Sequence, residues 1–535
     1  MRIRAAFARQ KHLVFCLTAA LVCLTASMLK SEEGSELGAD DGSASHESVS
    51  GKFASREAEI ADAIKRNNLI FDDWPKPQLA LVFSGEMDGY LEPCGCAGLD
   101  NQKGGLQRRH TILKRLADQG WPLVPIDMGG LVRRVGPQAE MKYRFGLQSL
   151  IELGYGAVGF GVRELQLSTE SLVFAVANLD PEKNPLVSAN VGLIDFESGF
   201  SKRYRVVEKA GKRIGVTSVL GKRHEPALRT ASEIIWRDPE QALREVLPQL
   251  ENENCDLLVL LAHAEPEEVR QLSQKFPQFQ FMVTAGAPEP PEGLQAVEGT
   301  SAQLIETGHR GMYVMVLGIF DDRERPFRLQ RVPLDHRFED SDAMQKMLIA
   351  YQDELKVTGF NGLGITGVRH PTAGFVGSAA CADCHTMAME EFLKTPHSHA
   401  TRTLVKLDPP RHFDPECLSC HATGWEPQEY FPYVSGFLSL EETPHLKANG
   451  CENCHGPGQG HVAAESGDTD ADDIELERLR AAMQLKIVEN EGNQHGQVFE
   501  GATVVNICIK CHDEANSPDF DFQEYWPQVE HYGKD

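Results

Sequence analysis

The strongest constraint on how this chain can fold is a five-residue pattern, Cys-x-x-Cys-His, that recurs in its last third. The four copies are Cys381–Cys384–His385, Cys417–Cys420–His421, Cys451–Cys454–His455 and Cys508–Cys511–His512. With 13 Cys and 19 His in 535 residues, only about 0.01 copies are expected by chance. Eight of the 13 cysteines therefore belong to one repeated local arrangement.

Two thiols and an imidazole at this spacing are typical of covalent haem attachment. Each thiol can add to one vinyl group of a porphyrin, and the adjacent imidazole then reaches the iron. Zinc ribbons and disulfides are the alternatives, because Cys-x-x-Cys pairs also bind zinc. Zinc ribbons, however, do not require a histidine after every second cysteine. The sequence therefore predicts four haem c groups, whose proximal iron ligands are His385, His421, His455 and His512.

The second axial ligand of each iron is expected among seven further histidines near the carboxy terminus. They are His397, His399, His412, His445, His461, His495 and His531. An iron with two imidazole ligands is saturated and suited to electron transfer, whereas a vacant position allows a small molecule to bind. His461 follows His455 too closely to bind the same iron easily, so it is expected to serve a neighbour. We predict His399, His461 and His531 as distal ligands, with His397 as the alternate for His399.

The first 30 residues have the form of a secretory signal. Basic residues between Arg2 and His12 precede an apolar run at 13–29. This run is close to the lower length limit for spanning a bilayer, so a retained membrane anchor is the alternative. Covalent haem attachment in bacteria takes place outside the cytoplasm, which agrees with a periplasmic or otherwise exported location.

The rest of the chain changes character twice. Residues 31–75 predict an acidic linker rich in Gly and Ser, with a short helix at 53–68. Residues 76–350 alternate short apolar strands with amphipathic helices, which predicts an α/β domain. A Gly-rich joint at 351–373 leads into residues 374–535, where long apolar runs are few. We expect this last segment to be mainly helical and irregular, and to fold around its haems.

The carboxy-terminal segment resembles the tetrahaem cytochrome c554 family over about residues 374–531. The resemblance is carried by "FVGSAACADCH", "FLKTPHSHA", "CLSCHATGW", "CENCHGPGQGH" and "CIKCHDEANSPDF". It implies a periplasmic electron carrier with haems stacked in pairs, three of them bound by two histidines and one five-coordinate. By order along the chain, the five-coordinate haem would be that of the second motif, and His399, His461 and His531 would be the distal ligands.

The amino-terminal region resembles the calcineurin-like metallophosphoesterases, nearest to their periplasmic 5′-nucleotidase branch. About residues 79–334 are covered, through "LVFSGEMDGYLEPCGCAGLDNQKGGLQRR", "LVPIDMGG", "YGAVGFG", "SANVG" and "LLVLLAHAE". The resemblance implies an α/β sandwich. The predicted fold class is therefore multidomain, with this metallophosphoesterase-like sandwich followed by a multihaem cytochrome c domain.

Most of that family's metal ligands are missing at the matching positions. Where the family has Asp-x-His, this chain has Glu86-Met87-Asp88, and Gly130 stands in place of the bridging Asp. Where the family has Asn-His, this chain has Val162-Arg163, followed by Glu164. The family's Gly-His-x-His corresponds to Gly286-Ala287-Pro288. Two metal ions need several carboxylates and imidazoles that converge on them. We therefore predict an inactive scaffold without a divalent metal. A weak residual site for one ion, formed by Glu86, Asp88 and His263, is the alternative.

Three cysteines outside the haem motifs and the leader are Cys94, Cys96 and Cys255. In an oxidising compartment, a disulfide between two of them is the simplest expectation. Metal binding or thiol chemistry is the alternative.

Three functions compete on this evidence. The first is an exported multihaem electron carrier whose phosphoesterase-like domain docks a partner or substrate. The second is a redox enzyme that acts on a small nitrogen or sulfur species at a five-coordinate haem. The third is a metal-dependent phosphoesterase, which the lost ligands disfavour. The net charge of −25 argues against nucleic acid as a partner and is compatible with redox partner proteins.

Overall fold

The computed structural model describes residues 55–93, 102–229, 231–285, 289–485 and 503–534. The predicted signal or anchor, most of the predicted linker, Cys94, Cys96, residues 286–288 and His495 lie outside the described residues. The predicted short helix forms as α1 (Arg56–Asn67), which Ser55 caps by accepting a hydrogen bond from the Ala58 amide at 3.2 Å.

The described residues contain fifteen strands. They are β1 (Leu79–Ser84), β2 (Leu123–Asp127), β3 (Ala157–Val158), β4 (Val191–Leu193), β5 (Arg205–Lys209), β6 (Lys212–Leu220), β7 (Ile234–Trp236), β8 (Leu257–His263), β9 (Phe281–Thr284), β10 (Gln295–Ala296), β11 (Gln303–Glu306), β12 (Tyr313–Ile319), β13 (Phe327–Pro333), β14 (Trp425–Glu426) and β15 (Phe431–Pro432).

Two large sheets form the α/β domain. The first has the strand order β13-β12-β1-β2-β3, in which β1, β2 and β3 are parallel and β12 is antiparallel to both of its neighbours. The second has the order β10-β11-β9-β8-β6-β5, with β6, β8, β9 and β11 parallel. The carboxyl ends of parallel strands lie at one edge of a sheet, where α/β proteins commonly bind ligands.

The sheets pack face to face, as the sequence of β1 requires. All six residues of this strand are buried, and successive side chains of a strand point to opposite faces. Leu81 and Phe83 pack in one cluster with Val259 and Phe281 of the second sheet. Val82 belongs to a separate cluster with residues of the covering helices. The strand is therefore apolar on both faces.

Helices cover the outer faces of the two sheets. They are α2 (Leu106–Asp118), α3 (Pro137–Glu152), α4 (Thr169–Val176), α5 (Glu225–Leu228), α6 (Pro239–Asn252), α7 (Pro266–Lys275) and α8 (Asp342–Gly362). Helices α2, α3 and α8 share a buried cluster with the first sheet. Helices α6 and α7 share one with the second. The α/β sandwich predicted from the sequence is thus present.

The carboxy-terminal segment consists of short helices joined by loops. They are α9 (Ser378–Ala382), α10 (Thr386–Lys394), α11 (Ala400–Lys406), α12 (Pro415–His421), α13 (Cys451–His455), α14 (Gln459–Glu465), α15 (Asp473–Ala482), α16 (Val504–Cys508) and α17 (Phe522–Tyr525). Two small apolar clusters lie in this segment, one around Leu418 and Phe437 and one around Val505 and Phe520. The sparse apolar packing agrees with the sequence-based expectation.

Helix α8 connects the two parts. It continues from the α/β domain into the predicted Gly-rich joint, with a break at Gly359, whose φ of 58° lies in the left-handed region that favours glycine. No helix among the described residues is long and apolar enough to cross a membrane. The predicted signal or anchor at 1–30 lies outside these residues.

Candidate functional site

Each Cys-x-x-Cys-His motif forms one turn of helix. The second and third motifs lie within α12 and α13. In the first and fourth, the amide of the histidine donates to the carbonyl of the first cysteine, at 2.9 Å for His385 and 2.8 Å for His512. One helical turn places residues three apart on the same side of a helix. Both thiols of a motif can therefore reach the same porphyrin.

Three of the four motif histidines lie close to a second imidazole. The ring centres are 6.4 Å apart for His385 and His461, 5.8 Å for His455 and His531, and 6.0 Å for His397 and His512. An iron between two imidazoles separates their centres by roughly 6 Å, given metal–nitrogen bonds of about 2 Å and ring radii of about 1 Å. The three pairs therefore fit iron ligation on both sides.

Hydrogen bonds at Nδ1 orient several of these rings. The Nδ1 atoms of His421, His455 and His531 bond to the carbonyl oxygens of Ala400, Met483 and Val529 at 2.9, 2.7 and 3.0 Å. A carbonyl oxygen only accepts, so Nδ1 is the donor in each case and Nε2 is the nitrogen that remains for a metal. Histidine ligands of metals are commonly held in this way.

The segment between the first and second motifs contains both His397 and His399, in the turn Pro396–His399. His397 is half-buried and faces His512. Burial, with a contribution from His421, lowers the pKa of His397 and favours the neutral imidazole that a metal requires. His399 is exposed, and its Nδ1 lies 3.0 Å from the Ser398 hydroxyl. The structure thus brings the alternate candidate, His397, to the fourth motif rather than His399.

The motifs adjoin one another in an order that differs from their order in the chain. The thiol of Cys381 lies beside that of Cys451, and the thiol of Cys420 lies beside that of Cys511. Helix α13 also packs against α9 and α16. The spatial order is therefore first, third, fourth and second.

A buried carboxylate joins the first and third motifs. Glu452 lies inside the third motif and is 2% exposed. It accepts hydrogen bonds from the amides of Val376 at 3.0 Å, Gly377 at 2.7 Å and Gly458 at 2.7 Å. The segment that leads into the first motif is therefore fixed to the helix of the third. No sequence signal distinguishes this glutamate from an ordinary exposed one.

Cysteines give no sign of disulfide bonding in the described part of the chain. The eight motif cysteines and Cys255 are all free thiols. The predicted disulfide would involve Cys94 or Cys96, and these lie outside the described residues.

The positions that match phosphoesterase metal ligands lie at the carboxyl ends of the parallel strands. Glu86 Oε1 is 3.2 Å from His263 Nε2. A Cβ atom at Gly130 would lie 2.5 Å from the same oxygen, so the Glu86 carboxylate fills the space beside Gly130. Asp88 instead accepts a hydrogen bond from the Arg310 amide at 3.4 Å. Of the three residues predicted as a weak ion site, the structure brings only Glu86 and His263 together.

Other charged groups at this edge are paired within the protein. Asp127 accepts from the Ser84 hydroxyl at 2.5 Å and forms an ion pair with Arg109 at 3.5 Å. Among the residues that the structure describes, no three His, Cys, Asp or Glu side chains are grouped so that they could hold a metal ion.

Burial lowers the pKa of His263 to about 3, with His224 and Arg223 acting in the same direction.

Glu164 provides a test of the electrostatics of this edge. Its carboxylate accepts from the amides of Gly130 and Gly161 at 2.9 and 2.8 Å. Burial outweighs these bonds and raises the pKa of Glu164 from 4.5 to about 7. The native state therefore keeps a proton that the unfolded state releases, so stability falls as the pH rises from 4.5 to 7.

Glu164→Gln has no titrating group at this position. As the pH rises from 5 to 8, we expect the unfolding free energy of the wild type to fall by up to about 3 kcal/mol relative to that of the variant. Urea denaturation followed by circular dichroism at both pH values measures the difference. Glu170→Gln, at an exposed position, should follow the wild type. An effect of Glu164→Gln that does not change with pH would contradict the prediction.

Comparison with known proteins agrees with the resemblance found in the carboxy-terminal segment. Residues 380–456 match the family model described as "Cytochrome c554 and c-prime". Cytochrome c-554 of Nitrosomonas europaea is 31% identical over 100 residues, which are 16% of this chain and 40% of that protein. The chain therefore spans less than half the length of this relative.

Similar solved structures include enzymes that act on nucleotides. The 5′-nucleotidase precursor from Thermus thermophilus has a TM-score of 0.45 and 18% identity, covering 59% of this chain and 66% of its own. The NAD nucleotidase of Haemophilus influenzae has a TM-score of 0.41 and 15% identity, covering 59% and 81%. The match to the cytochrome c554 family lies entirely within the segment that carries the haem motifs.

Proposed function

We propose that this protein is an exported multihaem c-type cytochrome that transfers electrons through four covalently bound haems. The observation that carries the proposal is the set of three imidazole pairs, with ring centres 5.8 to 6.4 Å apart, beside the Cys-x-x-Cys-His turns. A set of disulfides does not account for histidines that lie opposite each other in this way.

The residues of each motif have separate tasks. The two cysteines would anchor the porphyrin, and the histidine that follows them would hold the iron. His461, His531 and His397 would supply the second imidazole for the first, third and fourth motifs. When bound, haem c supplies an iron that changes between the ferric and ferrous states by one electron. Two imidazoles saturate the iron and favour electron transfer over the binding of small molecules.

The order of the motifs supports a continuous route. The first motif adjoins the third, the third adjoins the fourth, and the fourth adjoins the second. Cys384 and His385 of the first motif are exposed, whereas the cysteines and histidines of the other three motifs are at least half-buried. A redox partner protein would therefore reach the first motif most easily. The α/β domain acts as a scaffold at the other end of this series of motifs, next to the second motif.

Haem content tests the proposal. The full-length protein, matured in a host that installs c-type haem, is expected to carry four haems by intact mass and by pyridine haemochrome absorbance. Cys417→Ala/Cys420→Ala should carry three, because the second attachment site is lost. Cys255→Ala should keep four, since this half-buried thiol lies outside the motifs. A colourless protein that contains zinc would overturn the proposal.

Nitric oxide separates the carrier from an enzyme that acts at an open haem. Electron transfer alone predicts that the reduced protein exchanges electrons rapidly with a soluble redox dye. Rapid binding of nitric oxide to one haem, followed by turnover of a small nitrogen compound, would instead support the redox enzyme.

The distal ligand of the fourth motif can be identified by paired substitutions. His397→Ala is expected to convert one low-spin haem to high spin, because His397 faces His512 at 6.0 Å. His399→Ala should leave the number of low-spin haems unchanged, since this side chain is exposed. Electron paramagnetic resonance of the oxidised proteins counts both states. The opposite pattern would restore His399 as the ligand.

A further inference from the structure

The edge of the α/β domain at which the parallel strands end contacts the segment that carries the second Cys-x-x-Cys-His motif. This edge consists of the loops that follow β1 and β2, together with the start of α3. Hydrogen bonds and ion pairs connect it to residues 411–430. The partner of the edge is therefore another part of the same chain, positioned around Cys417 and Cys420.

One contact is an ion pair with two hydrogen bonds, in which the arginine is buried and the glutamate is partly exposed. Arg411 is 4% exposed, and its Nε and Nη2 atoms donate to the two carboxylate oxygens of Glu92 at 2.8 and 2.7 Å. Such paired bonds fix orientation as well as distance. Glu92 belongs to the loop after β1, so the segment before the second motif has a defined position on the α/β domain.

Asp414 fixes the second-motif helix itself. Its side chain caps α12 by accepting from the Glu416 amide at 3.0 Å. It also accepts from Gln138 of α3 at 2.9 Å and from Gln352 of α8 at 3.2 Å. The helix that carries Cys417, Cys420 and His421 is therefore oriented by two helices of the α/β domain.

Three cations of the α/β domain lie beside this helix. Lys142 Nζ forms an ion pair with Glu416 Oε2 at 2.6 Å, and the lysine side chain is 12% exposed. Arg133 Nη2 donates to the Tyr430 hydroxyl at 3.3 Å, and the Arg134 guanidinium lies 3.4 Å from the centre of the Tyr430 ring. Glu416 directly precedes Cys417 in the sequence.

The lysine remains charged in this environment. Burial lowers the pKa of Lys142, but the carboxylates of Glu416 and Asp414 outweigh burial, and the net shift is upward. Lys142 in turn brings the pKa of Glu416 below its ordinary value, although burial alone would raise it. Both partners therefore carry fixed charges at neutral pH.

We propose that Lys142, assisted by Arg133 and Arg134, sets the reduction potential of the haem attached at Cys417 and Cys420. A fixed positive charge favours the reduced state, which is less positive by one unit, and so raises the potential. A fixed negative charge such as Glu416 lowers it. Solvent screens these charges less than exposed ones because the groups are largely buried. The α/β domain is thus an electrostatic part of one redox centre and not only a scaffold.

The proposal rests on the proposed haem function, and charge substitutions test it separately. In a spectroscopic redox titration of the haem-loaded protein, Lys142→Met should lower the midpoint of one haem. At a fixed potential its reduced-to-oxidised ratio should fall about tenfold, which corresponds to about 59 mV for one electron. Glu416→Gln should shift the same haem in the opposite direction. The titration of Cys417→Ala/Cys420→Ala should lack one redox step. That missing step identifies the shifted haem as the one attached at the second motif.

Controls separate charge from structural damage. Lys142→Arg keeps the charge and should retain the wild-type midpoint potential. Arg244 lies on α6 and pairs with Glu240, so Arg244→Gln should change the midpoint potential of no haem. If Lys142→Met does not fold, Arg134→Gln should lower the same midpoint. Equal shifts of the same sign in Lys142→Met and Glu416→Gln, or no shift in either, would overturn the inference. A wild-type protein without haem would instead overturn the proposed function.

Discussion

Facing imidazole rings, held about 6 Å apart, are the interaction on which the carboxy-terminal segment depends. The short helices there bury few apolar side chains, with small clusters around Leu418 and Val505. Such packing alone is too sparse to order more than a hundred residues, because the backbone of each ordered residue loses about 1–2 kcal/mol of conformational entropy. The thioether and iron bonds of four haems would supply the missing constraint. Carbonyl groups at Nδ1 and the buried Glu452 then fix the geometry of the ligands and of the motif helices.

The α/β domain has the opposite character, since its order comes from apolar packing between two sheets and their covering helices. At the carboxyl ends of its parallel strands, most of the charged side chains are occupied by partners within the domain. Glu86 fills the space beside Gly130, Asp127 pairs with Arg109, and Asp88 turns towards Arg310. The neighbouring loops use their polar groups to bind the second-motif segment. A single set of loops therefore connects a domain ordered by apolar packing to the segment for which we propose haem binding.

Much of this arrangement follows from local sequence patterns. The four motifs predict the haem attachment residues, and the alternation of strands and helices predicts the α/β sandwich, which the structure contains. Asp414 followed by Pro415 is a recognisable helix start, so its cap could have been found. The sequence could not decide between His397 and His399, because both lie in one short turn and their exposure depends on how that turn packs. The ion pairs of Lys142 with Glu416 and of Arg411 with Glu92 join residues 274 and 319 positions apart, and no local pattern reveals such pairs.

The central claim is that iron lies between the facing histidines. Crystals of the haem-loaded protein, measured with X-rays just above the iron absorption edge, test it directly through the anomalous signal. The account predicts four iron peaks, three of them midway between the rings of His385 and His461, His455 and His531, and His397 and His512. Peaks that appear only at the zinc edge, or iron peaks away from these ring pairs, would contradict it.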